Sequence, residues 1–192
     1  GALRFNGSAY MIDIEKLQTT IFDTSIVNLF FSDNAADAEV KGIEGDLTYA
    51  ASDNLTLHAA FSFLDSEVTD VLTPTGDVVN GSSLAYAPEF QGNLSARYVW
   101  DLDSGLTAHF MPSVAMSDSQ KTDIIQPNSV ELDSWTLVNV TAGVTNGTWI
   151  VEAFVDNLTD EMAAMSGSYV YDRERIAYTR PRTMGVRFTY DF

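Results

Sequence analysis

The sequence contains no cysteine among its 192 residues, so neither a disulfide framework nor a thiolate metal site is available to it. Basic residues are scarce: 10 lysines and arginines stand against 27 aspartates and glutamates, a formal net charge of −17. That balance argues against nucleic-acid binding, which requires clustered basic side chains to neutralise phosphates. Long apolar runs are also missing, since the longest candidate, 26–31, falls far short of the roughly 20 residues of a transmembrane helix. No charged-then-apolar leader follows Gly1, so we expect this not to be an unprocessed secreted precursor.

Recognisable catalytic and metal-binding patterns are missing too. The two histidines, His58 and His109, lie far apart and belong to no HExxH or Cys/His spacing. A Gly-x-Ser-x-Gly elbow is absent, so no nucleophilic triad can be assigned. A hydrolase would have to use loop carboxylates that converge only in the folded chain. We therefore predict that the protein is not an enzyme and has no catalytic residue, metal site or cofactor.

The pattern that the sequence does contain is a period of two, the signature of strands with one apolar and one polar face. It is clearest at the C-terminus, where one parity holds Met184, Val186, Phe188, Tyr190 and Phe192. The other regular segments are 54–63, 90–100, 106–116 and 136–144. Less regular segments at 2–22, 34–50 and 148–157 bring the prediction to eight strands. Pro112 would remove a ladder donor, so we expect a bulge or a local break there.

The segments between these strands alternate in length. The short ones are 51–54, 101–105 and 145–147, and Asn146-Gly147 suits a type I′ hairpin. The long ones are 23–33, 65–86, 117–134 and 158–180, with one helical turn expected over 160–166. Short turns at one end and long loops at the other are typical of an outer-membrane β-barrel, with the short turns on the periplasmic side.

Aromatic residues supply a second test of that interpretation. Six of them lie beside a short turn or at the chain end: Tyr49, Tyr98, Trp100, Trp149, Tyr190 and Phe192. In an up-and-down meander these positions form one rim, and aromatic girdles mark the boundary between membrane and water. The alternative is a soluble β-sandwich with aromatic residues at its edges, which alternation alone does not exclude.

Two groups of acidic residues lie in the predicted loops. They are Asp65, Glu67, Asp70 and Asp77 in one loop, and Asp118, Asp123, Glu131 and Asp133 in another. The ordered spacing of a calcium loop is missing, so we interpret both groups as solvated or as facing lipid headgroups. Divalent ions that bridge them to anionic surface glycolipid are a further hypothesis.

The C-terminal residues resemble a known signal. The pattern Thr183-x-Gly185-x-x-Phe188-x-Tyr190-x-Phe192 is similar to the C-terminal strand that the assembly machinery of bacterial outer-membrane proteins recognises. An extended strand edge offers backbone donors and acceptors, while alternate side chains provide discrimination. The resemblance implies that these five residues are the outer-membrane assembly signal.

Four stretches in order resemble the barrel of TonB-dependent receptors. They are Val40-Lys41-Gly42-Ile43-Glu44, Tyr86-Ala87-Pro88-Glu89-Phe90, Asn157-Leu158-Thr159-Asp160 and the strand entry from Arg180 to Phe188. The resemblance extends over essentially the whole chain and implies an outer-membrane importer of scarce nutrients in a Gram-negative bacterium. Members of that family combine a barrel of about 22 strands with an N-terminal plug that pairs with TonB through a short box.

We accordingly predict an all-β fold: an antiparallel, up-and-down portion of a transmembrane β-barrel. Residues 1–192 would be the C-terminal barrel segment, with the plug domain and the N-terminal strands absent. Its partners would be outer-membrane lipid, the remaining barrel and plug, the barrel-assembly machinery, TonB through the missing plug, and a small nutrient such as a siderophore complex, cobalamin or an oligosaccharide. An autonomous eight-stranded barrel with a structural or adhesive role is the alternative, because open edges in hydrocarbon are costly.

The last long loop supplies candidate substrate contacts. Tyr169, Tyr171 and Tyr178 could stack on a sugar or an aromatic ligand, or could pack the loop onto its neighbours. Arg173 and Arg175, with further arginines at positions 180 and 182, could capture an anionic group or pair with nearby acids such as Asp172 and Glu174.

Overall fold

The computed structural model of the protein describes residues 2–23, 29–73, 77–170 and 173–192. The strands in chain order are β1 (Leu3–Asp23), β2 (Leu29–Ala50), β3 (Leu55–Val71), β4 (Phe90–Asp101), β5 (Thr107–Ser117), β6 (Gln120–Lys121), β7 (Glu131–Leu132), β8 (Trp135–Thr145), β9 (Trp149–Asp156), β10 (Ala164–Val170), β11 (Arg173–Tyr178) and β12 (Thr183–Tyr190). One turn of 3₁₀-helix lies at Gln126–Asn128. Within the described ranges, no helix has the length and hydropathy needed to cross a membrane.

Eight of these strands form one antiparallel sheet in the order β1-β2-β3-β4-β5-β8-β9-β12. The other four form two separate hairpins, β6–β7 and β10–β11, inside the long connections. Each sheet strand pairs with the next sheet strand along the chain, which confirms the predicted up-and-down meander of eight strands. The two edges, β1 and β12, do not pair with each other within the described residues. The chain therefore does not close on itself, as an autonomous eight-stranded barrel would require.

The predicted loop 23–33 is wrong. Strands β1 and β2 continue through most of it, with Asp23 paired to Leu29, so that only 24–28 separate the two strands. An antiparallel ladder gains a backbone pair with each added residue, and it can continue past the membrane until a short connection closes it.

The predicted loop 65–86 starts too early, because β3 runs on to Val71. The period of two continues beyond Phe63, but the outward positions are now acidic, at Asp65 and Glu67. The inward positions of the same stretch include Val68, which is buried. The prediction relied on hydropathy, so it ended this strand where the outward face changes from apolar to charged.

Strand β5 is continuous through Pro112, but its pairing with β4 is interrupted there. The pairs Ser95–Ser113 and Tyr98–Phe110 flank the gap and share one register. The expected local break is present and the register-shifting bulge is not. Proline cannot donate to the ladder, and this missing donor accounts for the gap.

Two local turn predictions are also wrong. Only Gly147 of the pair Asn146-Gly147 has a positive φ, at 90°, whereas a type I′ turn requires two such residues. The Asn146 side chain closes the hairpin instead, since its Oδ1 accepts from the backbone N–H groups of Thr148 and Trp149, both at 3.0 Å. The helical turn expected over 160–166 is replaced by an irregular stretch and the start of β10.

From the short turns to about the level of Phe63, the outward face of the sheet is apolar and is not covered by any other described residues. Met184, Val186 and Phe188 on β12 are 69%, 74% and 65% exposed. Phe5 and Leu94, on the same outward parity of β1 and β4, are 57% and 52% exposed. A sandwich would bury these rows under a second sheet, so the soluble β-sandwich alternative is wrong.

The aromatic rim lies on this outward face at the short-turn end. Tyr98 and Trp100 stack with ring centroids 5.4 Å apart, and Tyr190 meets Phe192 edge-on at 5.2 Å. Trp149 is the direct partner of Tyr190 on the neighbouring strand. The rings therefore form the row that was predicted from their positions beside the short turns.

The buried core lies at the opposite end, among the long loops. One cluster consists of Ile21, Ala35, Ala36, Val68, Val78, Ile124 and Ile125. A second cluster joins Val130, Leu132 and Ala164, with Tyr169 and Ile176 packed against it. Hydrophobic burial thus fixes the loops against the inner side of the first three strands, while the sheet itself has little core of its own.

Candidate functional site

The inner face of the sheet is polar across β1 to β8, at the level where β4, β5 and β8 join their long loops. A concavity of about 690 Å³ is lined there by inward side chains that include Asn6, Ser8, Glu44, Asp46, Ser62, Gln91, Asn93 and Trp135. Asn6 Nδ2 donates to Asp46 Oδ2 at 2.9 Å, and Ser8 Oγ donates to Glu44 Oε1 at 2.9 Å. The surface presented to the lumen is therefore hydrophilic and partly organised by cross-strand hydrogen bonds.

A charged row, formed by His109, Glu152 and Arg187, crosses the inner face closer to the short turns. His109 Nε2 lies 3.1 Å from Glu152 Oε1, and Arg187 Nη1 donates to Glu152 Oε2 at 3.3 Å. Strand β8 separates the two strands that carry His109 and Glu152, and it contributes Gly143 at this level. A Cβ on Gly143 would stand 2.7 Å from His109 Cε1, so only glycine leaves room for the contact. The Arg187 guanidinium also lies over the Phe154 ring, 5.4 Å from its centroid.

Both histidines lie on the inward parity of their strands, and the sequence near them identifies no partner for either. His109 is buried with Glu152, whereas His58 is exposed and its Nδ1 lies 3.1 Å from Thr48 Oγ1. The partner of His109 is 43 residues away in the chain. Only the strand order and the glycine between them bring the two together, so spacing gave no signal.

Three long loops are tied together through Tyr86. Its backbone N–H donates to the Lys121 carbonyl at 2.7 Å, and its hydroxyl donates to the Gly167 carbonyl at 2.9 Å. Tyr86 adopts a φ of 53°, the left-handed region that large side chains rarely occupy. The Gln126 N–H adds a bond to the Asp77 carbonyl at 2.9 Å. The loops thus form one connected surface.

The candidate ligand contacts in the last loop separate into two groups. Tyr169 packs against the second buried cluster, so it serves to hold the hairpin β10–β11 in place. Arg173 and Arg175 are exposed on the other side of the hairpin. None of the described ion pairs includes them, so the predicted pairing with Glu174 is wrong. Tyr171, like Asp172, lies outside the described residues.

Tyr178 is the exposed aromatic residue of this group, at 50%. It borders a groove of about 410 Å³ together with Asn139, Asp156 and Thr183. The groove lies on the inner side of the sheet, where a solute within the lumen would meet it.

The acidic loop residues form no metal centre in the described part of the chain, where no group of three or more His, Cys, Asp or Glu side chains could hold an ion. Asp123 instead caps its own turn, because its Oδ1 accepts from the Ile125 N–H at 3.0 Å. Burial raises the pKa of the Asp123 carboxyl above its ordinary value, and the hydrogen bonds from Ile125 and Ile124 partly oppose this.

Four residues of the C-terminal pattern lie on the edge strand β12, and Phe192 follows two residues after its end. Phe188 and Tyr190 project outward, while Thr183 and Gly185 are on the inward parity. A Cβ on Gly185 would stand 2.7 Å from the Phe154 ring, so glycine at this position accommodates the ring.

The two motifs that flank the last loop meet in space. Asn157 Nδ2 donates to the Arg180 carbonyl at 3.0 Å, and Asp160 Oδ1 accepts from the Arg182 N–H at 2.8 Å. Arg182 Nη1 also donates to the Leu158 carbonyl at 3.3 Å. Sequence reasoning identified both motifs by resemblance but gave no account of why they occur together.

Comparison with known families now identifies the class of protein that this architecture defines. The family model described as "TonB dependent receptor-like, beta-barrel" matches residues 1–158. The chain belongs to this family, whose members are outer-membrane transport receptors of Gram-negative bacteria rather than enzymes. No curated protein matches the chain.

Solved structures agree on the fold. The ferric yersiniabactin uptake receptor FyuA of Yersinia pestis superimposes with a TM-score of 0.80 at 15% identity, over 100% of this chain and 28% of that receptor. BauA, the ferric preacinetobactin receptor of Acinetobacter baumannii, gives 0.74 at 21% identity, over 100% and 28%. The ferric citrate transporter FecA gives 0.70 at 16% identity, over 98% and 29%. The chain thus spans little more than a quarter of the length of the receptors that it resembles.

Proposed function

We propose that residues 1–192 are the C-terminal barrel segment of a nutrient-uptake receptor whose import is driven through TonB. The observation that carries the proposal is the open sheet: eight strands with an apolar outward face and two unpaired edges. An unpaired edge in hydrocarbon leaves backbone groups without partners, at several kcal/mol each. Further strands that pair with both edges remove that cost, and these strands belong to the remaining part of the receptor barrel.

In this role the two faces of the sheet have different partners. The outward rows contact membrane lipid, and the polar inner concavity faces a plug domain supplied by another part of the receptor. Contact with TonB takes place through that plug. The connected loops recognise the nutrient, and a siderophore-like iron complex is the class that the similar receptors favour.

Within the loops, Arg173, Arg175 and Tyr178 are the proposed ligand contacts. The two guanidinium groups are exposed and make none of the described ion pairs, and Tyr178 borders the inner groove. Charged donors of this kind suit an anionic chelate, because hydrogen bonds between ionised groups are the stronger ones. Tyr169 supports the hairpin rather than the ligand.

Thr183, Gly185, Phe188, Tyr190 and Phe192 are proposed as the signal for the barrel-assembly machinery. The support is that the first four lie on β12, one edge of which is unpaired among the described residues, and that Phe192 lies two residues beyond it. Phe192→Ala should reduce the amount of the protein that reaches the membrane in heat-modifiable form, and Asp191→Asn serves as the neighbouring control. Equal amounts of both variants would remove this residue from the signal.

Uptake of labelled nutrients by cells tests the transport proposal. A strain lacking the gene for this protein is supplied with ferric siderophores, ferric citrate, cobalamin or oligosaccharides, with and without functional TonB. We expect one iron complex to require both the protein and TonB, and Arg173→Ala/Arg175→Ala to weaken its binding. If the uptake of every compound is unchanged by loss of the protein, the transport proposal fails.

A further inference from the structure

We propose that Asn157, Asp160 and Arg182 form a register lock, a set of positioning residues that determines how β12 pairs with β9. The lock lies at the base of the last loop, where β9 ends and β12 begins. It goes beyond the proposed transport role and rests on it only in treating β12 as a membrane-facing strand.

The need for a lock follows from the length of the connection. In a tight hairpin the turn sets the register of the two strands, but residues 157–182 are too many to do so. A shift by one residue would turn Met184 and Phe188 towards the lumen and Arg187 towards lipid. A shift by two would preserve the faces but displace every cross-strand partner.

Asn157 provides the centre of the lock. Its side chain donates to the carbonyl groups of Glu161 and Arg180, at 2.9 Å and 3.0 Å, and its Oδ1 accepts from the Glu161 N–H at 2.8 Å. The residue is only 4% exposed, so these bonds form in a dry environment where their loss would leave unpaired polar groups. The two ends of the loop are thereby held together, although 23 positions separate Asn157 from Arg180.

Asp160 and Arg182 bring the lock to the first residue of β12. The Arg182 N–H donates to Asp160 Oδ1 at 2.8 Å, and Arg182 directly precedes Thr183, which pairs with Asp156. Only the short stretches 157–160 and 180–182 then lie between the paired strands, and together they act as a turn.

The residue types suit this geometry. Asn157 and Asp160 have φ angles of 53° and 57°, and asparagine and aspartate enter this region more readily than other non-glycine residues. The lock is also fixed to β8, because the Asn157 N–H donates to Asn139 Oδ1 at 2.9 Å and the Leu158 N–H to the Val138 carbonyl at 2.7 Å. It therefore relates β12 to two strands at once.

Engineered disulfides test the register directly, because the chain has no cysteine of its own. Ala153→Cys/Val186→Cys joins residues that are paired in the structure and reports the native register. Ala153→Cys/Met184→Cys reports a shift by two. Both double-cysteine variants are expressed in cells and oxidised. The disulfides are then measured only in the membrane-inserted, heat-modifiable fraction. A lower total amount of protein therefore does not alter the ratio of shifted to native disulfide.

We expect Asn157→Ala/Asp160→Ala to raise that ratio by about tenfold, as the loss of buried hydrogen bonds predicts. Asp160→Asn keeps an acceptor for the Arg182 N–H and should preserve the native ratio. Arg180→Ala is the matched control, because Arg180 contributes only its carbonyl oxygen. An unchanged ratio in the double variant, or an equal rise in the control, overturns the proposal. If the double variant fails to insert, the single variant Asp160→Ala decides by the same criterion. Because no uptake is measured, this outcome is separate from that of the transport test.

Discussion

The sheet has a tall side and a low side. The tall wall consists of β1, β2 and β3, with 21, 22 and 17 residues, and the low wall of β8, β9 and β12, with 11, 8 and 8. At roughly 3.3 Å per residue, β1 is about 70 Å long and β12 about 26 Å. A tilted strand needs about 9–11 residues to cross a bilayer, which is close to the length of the low wall and about half that of the tall wall.

The two walls differ in what replaces lipid above the membrane. On the tall wall, the outward pair Ile43–Phe63 is followed by the outward pair Lys41–Asp65, and this change marks the level at which the sheet leaves the acyl chains. Inward of the same stretch, Val68 belongs to the buried cluster that includes the loop residues Val78, Ile124 and Ile125. Protein packing thus sustains the strands where the membrane no longer does.

On the low wall the chain leaves the sheet once the apolar rows end. The residues after β9 form the hairpin β10–β11, which is anchored by the second buried cluster and by the register lock. The strands of the low wall are thus close to the length that a bilayer requires, and the extra length of the tall wall coincides with loop packing on its inner side.

Val68→Asp should have the largest effect on the difference in loop packing between the two walls. The side chain is 1% exposed in the cluster that holds the loops to the tall wall, so a carboxylate there would be buried without a partner, at a cost of about 4 kcal/mol or more to loop packing. We expect rapid protease cleavage within 77–89 on intact cells, with heat modifiability retained. Glu67→Gln, on the outward side, is the control. Loops that stay protected in Val68→Asp would show that this cluster does not hold them.

The second largest effect should come from a positive charge placed on the outward face, which should destabilise the low wall more than the upper part of the tall wall. Val186→Arg places a cation in the lipid-facing row of the low wall and should destabilise the inserted protein by about 2–4 kcal/mol. Glu67→Arg faces outward too, but above the acyl chains, and should change stability by less than about 0.5 kcal/mol. Denaturant unfolding in liposomes measures both, and equal losses would mean that the membrane level has been placed wrongly.

The sequence predicted most strand bounds closely but shortened β2 and β3, two of the three strands of the tall wall. The predicted strands 136–144 and 148–157 in the low wall, and 90–100 and 106–116 between the two walls, lie within about a residue or two of the observed bounds, because apolar alternation against lipid covers their full length. The tall wall was cut short at Phe63, where the outward residues become charged while the ladder continues.

The candidate site was predicted unevenly for a different reason. Motifs at Asn157 and Arg182 were recognisable because they are local, but the bonds between them cross 22 residues or more. The contact of His109 with Glu152 depends on strand order and on an intervening glycine, neither of which a local pattern contains. Alternation gives the face of a residue and does not give its partner.

Gly143→Ala should sharpen the comparison within the low wall. The new Cβ would stand 2.6 Å from the Val151 carbonyl and 2.7 Å from His109 Cε1, so we expect a loss of about 1–3 kcal/mol in denaturant unfolding. In a His109→Ala background the loss should be smaller, because one of the three close contacts, which also include Glu152 Cγ at 2.9 Å, is gone. A cost that is independent of His109 would show that the charged row does not need this glycine.

Asp123→Asn should have the smallest effect. It tests the electrostatics of the loop whose Ile124 and Ile125 belong to the buried cluster on the tall wall. Because burial raises the pKa of this carboxyl in the folded loops above 3.8, the folded form binds a proton more readily than the unfolded one. The free energy of unfolding of the loops should therefore increase as the pH falls through the raised pKa towards the ordinary one. At neutral pH it should be lower than at acidic pH by a constant amount. Asparagine keeps the acceptor for the Ile125 N–H without the charge, so the variant should match or exceed the native protein at pH 7, by less than about 1 kcal/mol, and should lose this acid-dependent gain. The rate of protease cleavage within 118–134, measured with an acid-active enzyme from pH 3.5 to 7, reports the difference. If the native protein and the variant have the same pH profile, the burial of Asp123 does not destabilise the loops.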